Sequence, residues 1–365
     1  MRASAPSRIP GWRLWVPGAI LAFAASRALL IVAAVGFGQL PDPDLVPPGW
    51  PDSIVPSAIA AWDSVYYIGI AKEGYHLQPV VSGFRDWAFF PAFPALLRLA
   101  SPLTGGDLVL AGMLVSNGAL IAALLLAGLA IAEHEDKATT ATSQLLIALS
   151  PGAVAFGLAY SDSLALAAAA GLYVAARHGH RWIAGLLLAV ATLTRPPGIL
   201  LAIPLAIILW EEADRRDVRA TLRLLAPIAL GPLALLGFAA LQGVTLGDPL
   251  AFLHAQADWA RPTTRPYPGI LSGILAISFA AYTVSAVVLM RSRLPRAAKA
   301  LGLVAYVSVV VSGRLLSNAR YMALGWPIAW MLARQGRIAR LATVCLFGVG
   351  YLLFAILNLS QHMPP

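Results

Sequence analysis

Residues 60–76 read AAWDSVYYIGIAKEGYH, with one aspartate (Asp63), one lysine, one glutamate and three tyrosines. The setting makes this stretch decisive. The chain has 365 residues, of which 59 % are hydrophobic and only 12 % charged, and its mean hydropathy is +0.75. Soluble domains carry about 25 % charged residues. At half that share the natural solvent is a bilayer, and a polar stretch soon after a long apolar run reads as chain at a membrane surface.

The run before it extends from Leu14 to Phe37 behind three arginines, Arg2, Arg8 and Arg13. Its length corresponds to roughly 36 Å of helix at 1.5 Å per residue. A cleaved signal has a shorter core, so an uncleaved first transmembrane helix is expected. Arg27 lies inside it and should face protein or water, not lipid. Further runs follow at 106–132, 143–160, 163–177, 182–194, 198–210, 222–242, 269–290, 299–313, 321–333 and 338–358. The expected fold is therefore an all-α polytopic bundle of about eleven transmembrane helices, with residues 1–365 forming a single integral membrane domain. Runs 182–194 and 198–210 are short and broken by TRPPG, which a membrane tolerates where the break lines an enclosed or watery cavity.

Placing the N-terminus in the cytoplasm puts seventeen of the 26 lysines and arginines inside, as the positive-inside rule favours. The same choice sends Asp63, Asp162, Arg195 and Arg320 to the outer face. Two large outer loops result, 38–105 and 243–268. In the first, Asp63, Tyr66, Tyr67 and Ile70 recur at i, i+3, i+4 and i+7, one face of a helix expected to lie in the interface over 57–73. WAFFPAFPALLRLAS, residues 87–101, is a second candidate surface helix, started near its prolines.

Each chemically able residue carries a plain reading beside a functional one. Asp63 is either a general base at a membrane interface or an interface-anchoring acid. Asp162, in AYSDSLAL, either supports Asp63 and a substrate hydroxyl or caps the next helix. Arg195, at the broken TRPPG, holds a phosphate through paired hydrogen bonds or snorkels. Arg314 and Arg320 offer the same choice. Trp62 and Tyr67 beside Asp63, and Tyr321 beside Arg320, are candidate substrate contacts. His254, a further candidate substrate contact, stands four residues before Asp258 in the second loop, a weak metal signal against a packing role, and Asp42 and Asp44 form an acid-x-acid pair between prolines. No cofactor is required by these residues; a divalent cation is conceivable at the acidic pair. The lone cysteine, Cys345, excludes an intramolecular disulfide and cysteine-based zinc. Phosphate-binding loops, dinucleotide fingerprints, H-E-x-x-H and G-x-S-x-G are missing, and no basic stripe with interleaved aromatics suggests nucleic acid.

Taken together, these stretches resemble the PIG-V-like (GPI mannosyltransferase II-like) membrane glycosyltransferases of the GT-C fold class. The likeness is sharpest at WDSVYYIGIAKEGY (62–75), similar to that family's W-D-x-x-[HY]-[FY]-x-x-I-A-x-x-G-Y, followed by FFPAFP (89–94). It continues in order through SRALLIVAA, LSPGAVAFGLAYSDSLALAAAAGLY, ATLTRPPGIL, GDPLAFLHAQADWAR and ARYMALGWP. One position departs: the family commonly has arginine before Trp-Asp, and here Ala61 stands there, with Lys72 and Arg85 nearby to substitute. The resemblance implies a GT-C-like bundle that transfers mannose from a polyprenyl-phosphate donor to a glycolipid, glycan or protein acceptor, inverting the sugar, with Asp63 as base. It implies a site on the extracytoplasmic face, among membrane lipids; the scarcity of lysine beside abundant arginine, alanine and leucine points separately to a GC-rich bacterial genome, and so to a bacterial plasma membrane. Competing expectations are a transporter or flippase of a lipid-linked sugar, the same fold using another sugar, and a silent scaffold subunit.

Overall fold

The computed structural model describes residues 10–40, 59–79, 84–214, 216–259, 269–312 and 318–360, and among them the regular structure is helical. The first long helix, α1, is Val16–Phe37, with Pro17 in its first turn, where a missing N–H costs nothing. The first large loop contributes α2 (Asp63–Glu73) and α3 (Ala92–Ala100). Then come α4 (Leu108–Ala132), started by Asp107 accepting from two backbone N–H groups, and α5 (Lys137–Ala148), capped by Asp136. The chain continues with α6 (Asp162–Arg177), α7 (Arg181–Thr192), α8 (Ala202–Glu212), α9 (Val218–Leu225) and α10 (Leu230–Leu246). It closes with α11 (Ala251–Trp259), α12 (Gly269–Arg291), α13 (Arg296–Ser312), α14 (Asn318–Ala323), α15 (Trp326–Ala333) and α16 (Arg337–Leu359).

Every apolar run expected from sequence holds a helix. Among the described residues, five stretches are long and apolar enough to cross a bilayer: Trp12–Phe37, Leu108–Ala132, Val218–Leu246, Gly273–Arg291 and Arg337–Leu359. Pro151–Gly157 and Asp162–Arg177 add a sixth if taken as one broken span, bent by 102°. The other runs form shorter helices, so length and composition support five or six spans, fewer than the eleven expected.

α4 packs along α6, α6 along α7, and α1 against both α5 and α16, around one large apolar core. α2 sits differently from the expected interface helix. It begins at Asp63, and Ser64 through Ile68, Ile70 and Ala71 are all buried, so protein surrounds it on nearly every side. Its aromatic face packs on α3 and the segment leading into it: Tyr66 stacks on Phe89 at 4.6 Å, and Tyr67 meets Phe89, and Phe93 of α3, edge-on at 5.1 Å. The amphipathic surface helix is α3, which buries Phe93 and Leu97 and leaves Leu99 75 % exposed.

Two close backbone approaches fix the site. A Cβ on Gly152 would lie 2.0 Å from the Ala319 carbonyl oxygen, so only glycine lets the 3-10 helix Pro151–Gly157 press on α14. A Cβ on Gly198 would lie 1.9 Å from the Ala191 oxygen, where the turn Pro196–Leu201 folds back on α7. α14 carries Arg320, and that turn follows Arg195.

Candidate active site

Four charged side chains from distant parts of the sequence meet in one linked row. Asp162 is the first residue of α6 and is fully buried. Arg320 Nε donates to both of its carboxylate oxygens at 2.9 Å, and Arg195 Nη1 donates to Oδ1. Arg320 Nη1 also donates to Asp63 Oδ2 at 2.6 Å. The row runs Arg195, Asp162, Arg320, Asp63, two of each sign. Both carboxylates sit at helix N-termini, where the positive end of the dipole favours them. The arginine side chains are 9 % and 5 % exposed, whereas that of Asp63 is 25 % exposed and open to an incoming group.

Aromatic rings seat the two cations. Arg320 Cζ lies 4.6 Å from the ring centre of Tyr160, and Arg195 Cζ lies 4.7 Å from that of Tyr321. Past Arg195 and Tyr321 opens a narrow apolar cleft of about 50 Å³ lined by Ala165, Ala191, Leu301 and Val304.

The turn into α2 is strained. Trp62 has φ 58° and ψ −123°, and among the described residues no other non-glycine has a positive φ. Such a conformation costs of order 1–3 kcal/mol and persists only where the surroundings over-determine it. Trp62 Nε1 is buried with no hydrogen-bond partner among the described residues. The far end of α2 is held by Arg98, whose Nε donates to the Ala71 carbonyl at 2.7 Å.

Beyond α2, His76 bridges two acids, with Nδ1 2.9 Å from Asp86 Oδ2 and Nε2 3.0 Å from Glu73 Oε2. Burial of the ring lowers its pKa, but the hydrogen bonds to Asp86 and Glu73 outweigh that and leave it raised. Asp86, only 1 % exposed, is raised chiefly by its own burial.

Among the expected site residues, Asp63, Asp162, Arg195 and Arg320 therefore come together, with Tyr321 beneath Arg195. Trp62 adjoins them. Tyr67 is buried and its hydroxyl bonds Ser161 Oγ at 2.7 Å, a tie between α2 and the start of α6. Asp162 is an ion-pair centre and not a cap: no side-chain cap bond starts α6. His254 does not join the row; it pairs with Asp248 at 2.6 Å and is 63 % exposed. Arg27 faces protein, donating to Asn117 Oδ1 at 3.1 Å. The side chain of Asp258, and Asp42, Asp44 and Arg314 entirely, lie outside the described residues. No cluster of three metal-ligating side chains occurs among the described residues.

Ala61 is 1 % exposed, so a longer side chain there would have to displace its neighbours. Neither nearby cation substitutes for the missing arginine. Lys72 pairs with Glu73 at 3.3 Å, and Arg85 lies over the Trp87 ring at 4.4 Å. The cation on Asp63 is Arg320. Sequence reading missed Tyr160, whose hydroxyl accepts from the Asp63 N–H at 3.1 Å; its one sequence signal was its place just before Ser-Asp-Ser.

Residues 40–243 match the mannosyltransferase (PIG-V) family, a span that includes Asp63, Asp162 and Arg195 and stops short of Arg320. The chain is similar to GPI mannosyltransferase 2 of Yarrowia lipolytica (strain CLIB 122 / E 150), 29 % identical over 157 residues. That alignment spans 42 % of this chain and 42 % of the relative, less than half of its length. In structure it is similar to ArnT from Cupriavidus metallidurans bound to undecaprenyl phosphate. The TM-score is 0.56 at 14 % identity, covering 94 % of this chain and 77 % of that one, a likeness of fold.

Proposed function

This chain belongs to the mannosyltransferase (PIG-V) family, and from that membership we propose that it moves mannose from a polyprenyl-phosphate carrier to an alcohol, inverting the sugar, with Asp63 as general base. The observation that carries the reading is the linked row from Arg195 to Asp63: two buried guanidinium groups beside one partly open carboxylate, at the polar end of an apolar cleft. A lipid phosphate needs such a cation pair. ArnT, of similar fold, is described bound to undecaprenyl phosphate, a lipid of that class.

The step balances on these residues. The acceptor O–H proton passes to the Asp63 carboxylate as its oxygen bonds the anomeric carbon. The bond from that carbon to the phosphate oxygen breaks on the opposite side, and polyprenyl phosphate leaves with the electron pair. A positioned base contributes about 10²–10⁴-fold. Fixed donors aimed at the leaving phosphate lower the barrier further, and Arg195 and Arg320 are those donors. Arg320 already bonds Asp63, so a donor phosphate competes for it and frees the base as it docks.

The membrane placement belongs to the same proposal. The N-terminus is cytoplasmic, the shorter helices complete about eleven crossings of a bacterial plasma membrane, and the row opens on the extracytoplasmic face. The parity of helices between Asp63, Asp162, Arg195 and Arg320, even in each interval, supports one shared face. The acceptor is a glycolipid, a glycan or a protein hydroxyl.

The test is Asp63→Asn in the purified full chain, reconstituted in vesicles of bacterial lipid extract with radiolabelled polyprenyl-phosphate-mannose. Turnover is expected to fall by about 10²–10⁴-fold. Full turnover would remove Asp63 from the mechanism, and movement of the donor across the vesicle without new glycosidic bonds would make the protein a carrier.

A further inference from the structure

The strained turn before Asp63 is held by the first bonds of α2, Ser64 N–H to the Ala61 carbonyl at 3.3 Å and Val65 N–H to the Trp62 carbonyl at 3.2 Å, and by one side-chain hydroxyl that also reaches the Asp63 N–H. Tyr160 Oη accepts from the Asp63 N–H at 3.1 Å and donates to the Ala61 carbonyl at 3.4 Å. These are the backbone groups on either side of Trp62, the residue with φ 58°. The tyrosine is itself immobile: it is fully buried, and its carbonyl accepts from Ser116 Oγ on α4 at 3.1 Å. A residue held in a disfavoured conformation rotates back unless its neighbours prevent it. Here, rotation of the peptides around Trp62 would carry the Asp63 carboxylate off its line.

We infer that Tyr160 is a positioning residue, whose hydroxyl holds the Trp62 turn from both sides and thereby aims Asp63. This rests on Asp63 being the base. The same side chain has a second, separable task, since its ring face lies 4.6 Å from Arg320 Cζ. The hydroxyl sets the base and the ring sets the cation.

Tyr160→Phe separates the two, in the reconstituted protein with radiolabelled polyprenyl-phosphate-mannose and lipid extract as acceptor. The kcat is expected to fall by about 10- to 100-fold, because misplacing a reacting group by about 1 Å costs up to that much. The donor KM should stay within about twofold, since Arg195, Arg320 and the ring persist. Tyr160→Leu, which also loses the ring, should raise the donor KM as well. Glycine takes a positive φ without strain. In a Trp62→Gly background the clamp is therefore redundant, and adding Tyr160→Phe should leave turnover at that of Trp62→Gly alone.

A wild-type kcat in Tyr160→Phe overturns the inference. So does an equal loss from Tyr160→Phe in both backgrounds, which would mean the hydroxyl acts otherwise than through the turn. Should Tyr160→Phe alone not fold, the double variant decides: turnover matching Trp62→Gly supports the clamp, and a rate about tenfold lower refutes it. An inactive Asp63→Asn beside a fully active Tyr160→Phe would sink this inference alone; an active Asp63→Asn would sink the reading it rests on.

Discussion

At the end of the bundle that holds Asp63, two arginines no more than 9 % exposed grip a fully buried aspartate. At the other end, acids also meet cations, on a looser plan. Glu135 accepts from Trp330 Nε1 at 2.9 Å and from Arg334 Nε at 3.2 Å, with that arginine 40 % exposed. His178 and Glu133, just past the ends of α6 and α4, pair at 2.7 Å. Asp162 starts α6 and Arg177 ends it, roughly 24 Å of rise apart. Arg334 reaches solvent, and a pair with one solvated partner contributes about 0–1 kcal/mol; His178 and Glu133 are more enclosed, at 13 % and 4 % exposed, but form a single pair rather than a linked row. Burying a charge cluster stabilises poorly for its desolvation cost, so stability alone does not account for the row. A linked, buried row at one end only is what the proposed site at Asp63 requires.

The sharpest way to break this contrast is Asp162→Ala. It leaves two buried guanidinium groups facing each other with only Asp63 to answer them. Removing one partner of a buried pair typically costs about 3–5 kcal/mol. The purified variant is expected to melt well below the parent and to lose turnover. If it melts within a degree or two of the parent, the buried row is not the costly element that this contrast requires.

Much of this layout was legible in the sequence. The apolar runs gave the helices, because a chain this poor in charge must bury backbone in hydrogen-bonded helix wherever it meets hydrocarbon. Arginine counting put Asp63, Asp162, Arg195 and Arg320 on one face, and they meet. What sequence concealed is set by tertiary contact. Asp162 had ideal capping neighbours, yet its oxygens go to arginines 33 and 158 positions away. Tyr160 reads as one more apolar residue until its hydroxyl is seen against the turn before Asp63. The interface helix expected over 57–73 is enclosed instead, because α3 folds over its aromatic face and takes the amphipathic role.

Backbone contact offers a second, smaller contrast. Gly152→Ala at the reactive end pushes a methyl into the Ala319 carbonyl, which as backbone cannot swing aside. Overpacking of this kind costs about 1–3 kcal/mol. α14 must shift, so Arg320 moves and turnover falls. Gly336, before α16 at the other end, has φ −61°, and a methyl added there would meet nothing within 4 Å, so Gly336→Ala should leave both melting and turnover unchanged. Parallel measurement of the pair decides whether the close seating of Gly152 reaches turnover through Arg320.

Proton linkage distinguishes the ends by sign. The pKa of His76 is raised by its two carboxylate partners once they have overcome burial. Its stabilising contribution is therefore complete below about 6.5, the ordinary histidine value, and is lost as pH rises through the folded value. His134, beside Trp330, is lowered by burial. Its contribution is complete above about 6.5 and is lost as pH falls through its folded value. Amide exchange across residues 73–79 should accordingly slow on acidification from neutral pH, relative to the intrinsic rate, while exchange across 133–136 quickens. His76→Gln should abolish the first response and leave the second.

The smallest expected effect lies at Glu135. Glu135→Gln keeps an oxygen for the Trp330 indole N–H and removes only the charge that faces Arg334. The lost pair is partly solvated, and exposed pairs contribute about 0–1 kcal/mol, so melting should barely move. Turnover should equal the parent's, because α6 is a single rigid helix and the groups at its far end touch neither Arg195 nor Arg320. Reduced turnover with unchanged melting would mean that charge at one end is felt at the other through α6 or α15. The two ends would then form one coupled electrostatic system, and the looser plan of the second could no longer be read as mere anchoring.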